Sequence, residues 1–165
     1  MYQTTLEMKK PWNRIDLPVY SVSSSSGETK NMHICTYVSA VSMDPKRFMV
    51  ALFKGSLTLD LVQASPTFVL QLMSAEQYRL LALLGRKSGR NTDKIASLTK
   101  RKLTAEWQGF VVLLEALAWM ELEVISQTDA GDHVMMLCDM KGFKNVRDGD
   151  PLTLDILRSK KLIRI

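Results

Sequence analysis

Short apolar runs, separated by clusters of serine, glycine, asparagine, aspartate and proline, set the pattern of this chain. Runs of that length, rich in valine, phenylalanine, tyrosine and threonine, predict β-strands. Residues 17–22 predict the first strand, and Ser23-Ser24-Ser25-Ser26-Gly27-Glu28 a mobile turn after it. Residues 32–42 and 48–53 predict two more, divided at Asp44-Pro45, where proline fixes φ and disfavours helix in the residue before it. Residues 67–73 predict a fourth strand. Residues 117–126 and 133–140 predict a pair joined through Thr128-Asp129-Ala130-Gly131-Asp132, a stretch rich in hairpin residues. Another strand is expected after Gly142, then a turn at Asp148-Gly149-Asp150-Pro151 and a terminal segment.

Helical spacing appears in two places. Leu57, Leu61 and Val62 share one helical face behind a possible cap at Ser56, and Ser65-Pro66 ends that helix. Ser74 and Gln77 have capping-box spacing and open a helix through Leu84, closed by Gly85. Residues 86–107 are polar and irregular and predict a loop with a short helical piece near residues 93–98. Many short strands with two helical excursions predict a closed or nearly closed antiparallel barrel.

At 165 residues, 46% hydrophobic and 24% charged, the chain is expected to form one globular domain over residues 1–165, its core at about 17–140. No apolar run approaches the roughly 18 residues needed to cross a bilayer, and the N-terminus has no apolar signal-like stretch. The expected compartment is cytoplasmic, with no membrane contact. Cys35 and Cys138 lie within apolar segments and read as small buried hydrophobes without a disulfide. His33 and His133 are too few and too scattered for a metal cage, and no Cys-x-x-Cys or His-Glu-x-x-His occurs, so no metal is expected. The net charge of +5 suits nucleic acid or an anionic nucleotide. The basic residues are not interleaved with aromatics as a base-stacking surface requires, which leaves a nucleic-acid-binding β-barrel as an alternative only.

Candidate chemistry concentrates at residues 48–58, FMVALFKGSLT. An apolar strand runs into lysine, glycine and two hydroxyl residues where a helix begins. Backbone N–H groups at a helix N-terminus hold phosphate; glycine permits close approach, and the hydroxyls and ammonium add donors. The same order of residues also serves as ordinary helix capping.

Several ordered segments resemble the flavin reductase-like family of the FMN-binding split-barrel fold. They are Asn31 through Ser42-Met43-Asp44-Pro45, the strand leading into Lys54-Gly55-Ser56-Leu57-Thr58-Leu59, and Phe68 through Ser74. Asp93-Lys94, Ala118-Trp119-Met120-Glu121 and Gly131-Asp132-His133 follow in family order. The resemblance implies a mainly β fold, a six-stranded antiparallel Greek-key split β-barrel, assembled as a homodimer with a flavin in each subunit. It implies FMN, with FAD the alternative, and NAD(P)H as co-substrate in hydride transfer to the flavin. A flavin-dependent monooxygenase partner and a flavin-binding protein without turnover, serving storage or sensing, are both compatible with it.

By the same resemblance Lys54, Ser56 and Thr58 hold the flavin phosphate, with Gly55, Leu57 and Ala51 beside them. Thr36, Tyr37, Val38 and Ser39 follow the flavin ring, and Gln71 takes the place of a flavin-positioning asparagine. His133 falls where nicotinamide or another substrate meets the flavin, against the alternative of a surface histidine at a hairpin tip. The chain departs from the family at Leu57, where arginine is frequent, and in lacking a Gly-Arg-Tyr ending after Pro151-Leu152.

Overall fold

The computed structural model describes residues 9–164. Nine strands and four α-helices follow one another among these residues: β1 (Tyr20–Ser26), β2 (Thr29–Cys35), β3 (Val38–Ser42), β4 (Arg47–Phe53), α1 (Leu57–Ala64), β5 (Thr67–Leu72), α2 (Leu81–Leu84), α3 (Lys94–Lys100), β6 (Thr104–Trp107), β7 (Phe110–Leu113), β8 (Ala118–Ala130), β9 (His133–Asn145) and α4 (Leu154–Ser159). Seven of the strands form one antiparallel sheet in the order β2-β1-β5-β8-β9-β4-β3. No helix among the described residues is long and apolar enough to cross a membrane.

The expected six-stranded sheet becomes seven because residues 32–42 do not form one strand. Val38 N–H donates to Thr36 O at 3.0 Å, and this tight turn sends the chain from β2, at one edge of the sheet, to β3 at the other. The edges therefore approach. Ala51 N–H donates to Tyr37 O at 2.9 Å, and the Cys35 thiol donates to Ala51 O at 3.4 Å. The residues around Thr36 thus sit in the seam where the curled sheet meets itself.

Alternation along the strands separates two apolar layers. Phe68 and Leu70 of β5 point inside the curl with Val22, Val50, Leu52, Leu122 and Met136. Val69 points the opposite way, beneath Leu84, Leu98, Val112 and Trp119. A strand buried on both faces reads as a continuous apolar run, which is why Phe68-Val69-Leu70 lacks polar alternation.

Several local expectations hold. Ser56 Oγ accepts the Leu59 N–H at 3.1 Å and caps α1. Of the capping box expected at Ser74 and Gln77, the bond from Ser74 N–H to Gln77 Oε1 forms at 3.0 Å, and a 3₁₀ turn over Ala75–Leu80 leads into α2. Asp93 caps α3 by accepting the Ala96 N–H at 2.8 Å. Both cysteines are buried and free.

Other segments differ from expectation. The serine tract belongs to β1, with the turn confined to Gly27-Glu28: Ser23 Oγ donates to Val111 O at 2.6 Å, so polar side chains are accommodated in a strand flanked by β2 and β5. The end of the presumed loop after α2 forms β6, paired with β7 in a hairpin across Gln108 and Gly109, both at positive φ. The strand expected after Gly142 is the continuation of β9. Pairing shifts between Glu121 and Leu122 and absorbs Lys141 as an extra residue, so the strand bends without ending.

Candidate functional site

Three adjoining cavities follow the seam. The largest, about 530 Å³, opens between Gly55-Ser56-Leu57 at the start of α1 and the loop Gly85–Gly89 after α2, with Asn31, His33 and Lys94 in its wall. A second, of about 410 Å³, is mostly apolar and lined by Tyr37, Val38, Met49, Ala51, His133 and Met135. A third, of about 270 Å³, shares His33, Thr36 and Phe53 with the first, and Thr36, Tyr37, Ala51 and His133 with the second. Together they make one cleft running from the N-terminus of α1 past Thr36 to His133.

Its two ends differ in chemistry. Arg86, Lys87 and Lys94 line the first cavity, and none of its lining residues is a carboxylate. Leu57 lines the cavity, and its N–H, in the first turn of α1, has no intrahelical acceptor and belongs to the positive end of the helix dipole. That end of the cleft is built for an anion. At the other end Tyr37 and Phe53 meet the His133 ring edge-on, at centroid distances of 5.1 and 5.7 Å. Asp132 Oδ1 lies 2.6 Å from His133 Nδ1 and fixes the ring's orientation, and this bond draws the Asp132 carboxyl below its ordinary pKa.

The wall between these ends is polar and tightly built. Asn31 is buried, and its Nδ2 donates to Thr58 Oγ1 at 2.9 Å, tying β2 to the first turn of α1. A Cβ on Gly89 would come within 2.4 Å of Asn31 Oδ1, so the loop after α2 can lie against this strand only with glycine there. Lys94 is 3% exposed and donates from Nζ to Leu84 O at 3.0 Å. Burial lowers its pKa to about 8. His33 is lowered to about 4, first by burial and then by the positive charges of Lys94 and His133.

Of the residues singled out in the sequence, Thr36, Tyr37, Val38, Ala51, Gly55, Ser56, Leu57 and His133 line this cleft. Four do not. Lys54 turns away to Asp129 on β8, with Nζ 2.5 Å from Oδ2, an exposed pair of small energetic weight. Thr58 is fully buried, its hydroxyl occupied by Asn31. Ser39 lies exposed on β3, and its hydroxyl donates to the adjacent Ala40 carbonyl.

Gln71 is fully buried away from the cleft. Its Oε1 accepts the Leu113 N–H at 2.6 Å, and its Nε2 reaches Ser21 Oγ at 3.5 Å. It joins the sheet to β7. Gln71→Leu is expected to cost about 1–3 kcal/mol by leaving the Leu113 N–H without an acceptor, with FMN affinity unaltered. Urea denaturation and a flavin titration on the same variant check both halves.

Sequence reasoning did not select His33 or Lys94 as site residues. For His33 a signal was available: it stands two residues from Asn31, so on a strand the two share a face. For Lys94 the signal was the Asp93-Lys94 match to the family, and the packing of α3 against β2 brings it to the cleft.

A sequence model of the flavin reductase-like domain matches residues 12–159. The chain belongs to that family. Diflavin flavoprotein A 1 of Synechocystis sp. is 28% identical over 128 residues, covering 77% of this chain and 22% of that protein. The chain spans about a quarter of the length of the diflavin flavoproteins it matches. Solved structures agree on the fold. An FMN-binding protein from Thermus thermophilus superposes with a TM-score of 0.73 at 21% identity, covering 88% of this chain and 79% of that one. BorF, the flavin reductase component of a bacterial two-component tryptophan halogenase, gives 0.74 at 20% identity, covering 86% and 88%.

Proposed function

We propose that the cleft binds a flavin nucleotide, FMN in preference to FAD, and that the protein is an NAD(P)H-dependent flavin reductase. The observation that supports this reading is the joining of a carboxylate-free, cationic cavity at a helix N-terminus to an apolar cavity ending in aromatic side chains. An anionic tail and a flat ring on one molecule fit the two ends together. The residues present suit the group: the first-turn N–H of Leu57 and basic side chains at one end, and Val38, Met49, Ala51 and Met135 at the other.

When bound, the flavin supplies the redox chemistry, accepting a hydride from the nicotinamide. The chain's own task is placement. The Leu57 N–H, with Arg86, Lys87 and Lys94, would hold the phosphate, and Ser56, whose hydroxyl donates to Phe53 O at 2.8 Å, would stand beside it. The seam at Thr36, Tyr37 and Val38 would support the ring. His133, held by Asp132 and boxed by Tyr37 and Phe53, stands where the second ring would stack and orients the nicotinamide.

We propose further that the protein works as a homodimer and hands reduced flavin to a partner enzyme of the monooxygenase kind. Tyr37, which lines the apolar cavity, is large and exposed, and Val41 and Met43, farther along the chain in and just after β3, are exposed as well, which supports a second copy covering this side. The relation to BorF, a component of a two-component system, supports the handover.

The test is the visible spectrum of the protein with FMN, recorded anaerobically before and after NADH and NADPH. The oxidised-flavin bands are expected to shift on binding and bleach within a catalytic time. A spectrum identical to free FMN, with no protein-dependent bleaching, removes the proposal. Bleaching that fails although FMN is bound leaves a flavin-binding protein without turnover.

A further inference from the structure

His33 is the cleft residue whose hydrogen-bonding capacity the protein leaves unused. Its Nδ1 is sealed from solvent and has no partner among the described residues, while Nε2 is not among the sealed atoms. The side chain borders both the anionic cavity and the one beside the aromatic end, so it stands at the waist of the cleft. Burial and the nearby positive charges of Lys94 and His133 keep the ring uncharged.

An uncharged imidazole carries one N–H donor and one lone pair. A buried N–H without an acceptor is costlier and rarer than an under-used lone pair. The proton therefore belongs on Nε2, and the cleft has at its waist a donor that requires an oxygen acceptor.

We propose that His33 Nε2–H donates to a hydroxyl oxygen of the ligand's polyol linker, and so selects ligands carrying a hydroxylated chain between ring and phosphate. This assignment rests on the flavin reading above. With the phosphate at α1 and the ring beside Ala51 and Tyr37, the linker must cross the stretch of wall that His33 occupies. His33 is then a specificity residue, distinct from the groups that grip the phosphate.

The experiment compares FMN, riboflavin and lumiflavin, which share the ring while lumiflavin lacks the polyol, by fluorescence titration of the wild type, His33→Phe and His33→Gln. His33→Phe is expected to weaken FMN and riboflavin binding by about tenfold, the loss of one buried hydrogen bond, and to leave lumiflavin unaffected. His33→Gln, whose amide keeps a donor, is expected to recover much of the difference. Riboflavin affinity that does not change in His33→Phe, or a parallel loss for lumiflavin, overturns the assignment. A wild type that binds none of the three flavins overturns the flavin reading itself and the assignment with it. A measurement on the wild type makes the proposal independent of how any variant folds. The His33 ¹⁵N imidazole resonances should move with riboflavin and not with lumiflavin, and an equal response to both counts against a bond to the polyol.

Discussion

Ser56→Asp is expected to weaken FMN binding by at least about 100-fold while leaving riboflavin affinity and thermal stability close to wild type, because two like charges about 4 Å apart repel by roughly 4 kcal/mol at intermediate dielectric. Aspartate serves as well as serine at a helix N-cap, so the Leu59 N–H keeps an acceptor and α1 stays folded, while the exposed bond that the Ser56 hydroxyl donates to Phe53 O at 2.8 Å is lost. The carboxylate would face the place assigned to the phosphate, against the basic residues that now make that end of the cleft attractive to an anion. Riboflavin has the ring and polyol without the phosphate, so it reports any general damage to the cleft. Ser56→Ala is a poorer probe, since it removes the cap and sets no charge against the phosphate. Parallel titrations of FMN and riboflavin, with a melting curve for each protein, decide the matter. Equal losses for the two flavins mean that Ser56 supports the helix and nothing more. Unchanged FMN affinity moves the phosphate away from α1.

The elements that local chemistry defines were legible in the sequence. Ser56, Ser74 with Gln77, and Asp93 each cap a helix through a hydrogen bond to a residue three positions along, and such bonds follow from spacing alone. The strands around Phe48 and Phe68 were legible for the same reason, through their short β-rich runs. What spacing could not reveal was the break at Thr36-Tyr37. Residues 32–42 are uninterrupted by glycine or proline, and the break is imposed by closure of the sheet, which needs one segment to leave one edge and join the other.

The site divides along the same line. The resemblance placed Ser56, Gly55, Thr36 and His133 on one path, and they do line one cleft. It could not foresee which partners would compete for side chains next to that path. Asp129 reaches Lys54 because β8 extends to Ala130, and Asn31 reaches Thr58 because β2 runs beneath α1. Gln71 is drawn to the Leu113 N–H by β7, a strand not anticipated from the sequence. A residue type that fits a ligand also fits a neighbour, and tertiary packing decides between them.

Lowering the pH from 7 to 4 is expected to cost the wild type about 3 kcal/mol more stability than it costs His33→Gln. The His33 imidazole has an ordinary pKa of 6.5 and is lowered to about 4 in the folded protein. Between those values the unfolded chain binds a proton that the native state refuses, so stability rises with pH through this window and falls as acid is added. At about 1.4 kcal/mol for each pH unit, the gap from 6.5 to about 4 gives the stated difference. Urea midpoints for both proteins at pH 7 and pH 4 measure it, and equal acid losses would mean that the imidazole charges freely within the fold. Lys94, lowered from 10.5 to about 8, works in the same sense at the alkaline end, where the native state again holds fewer protons than the unfolded chain. Both groups withstand desolvation because they stand in the wall of a cleft, and a bound anion would change their situations unequally. A phosphate beside Lys94 would raise its pKa by direct attraction, whereas a hydroxyl accepting the His33 Nε2–H would accept it from the neutral and the charged ring alike, and more strongly from the charged one, so it would not lower the His33 pKa further. FMN is therefore expected to lessen the alkaline stabilisation that Lys94 confers and to soften the acid sensitivity of His33, the larger effect falling on the lysine that meets the anion directly.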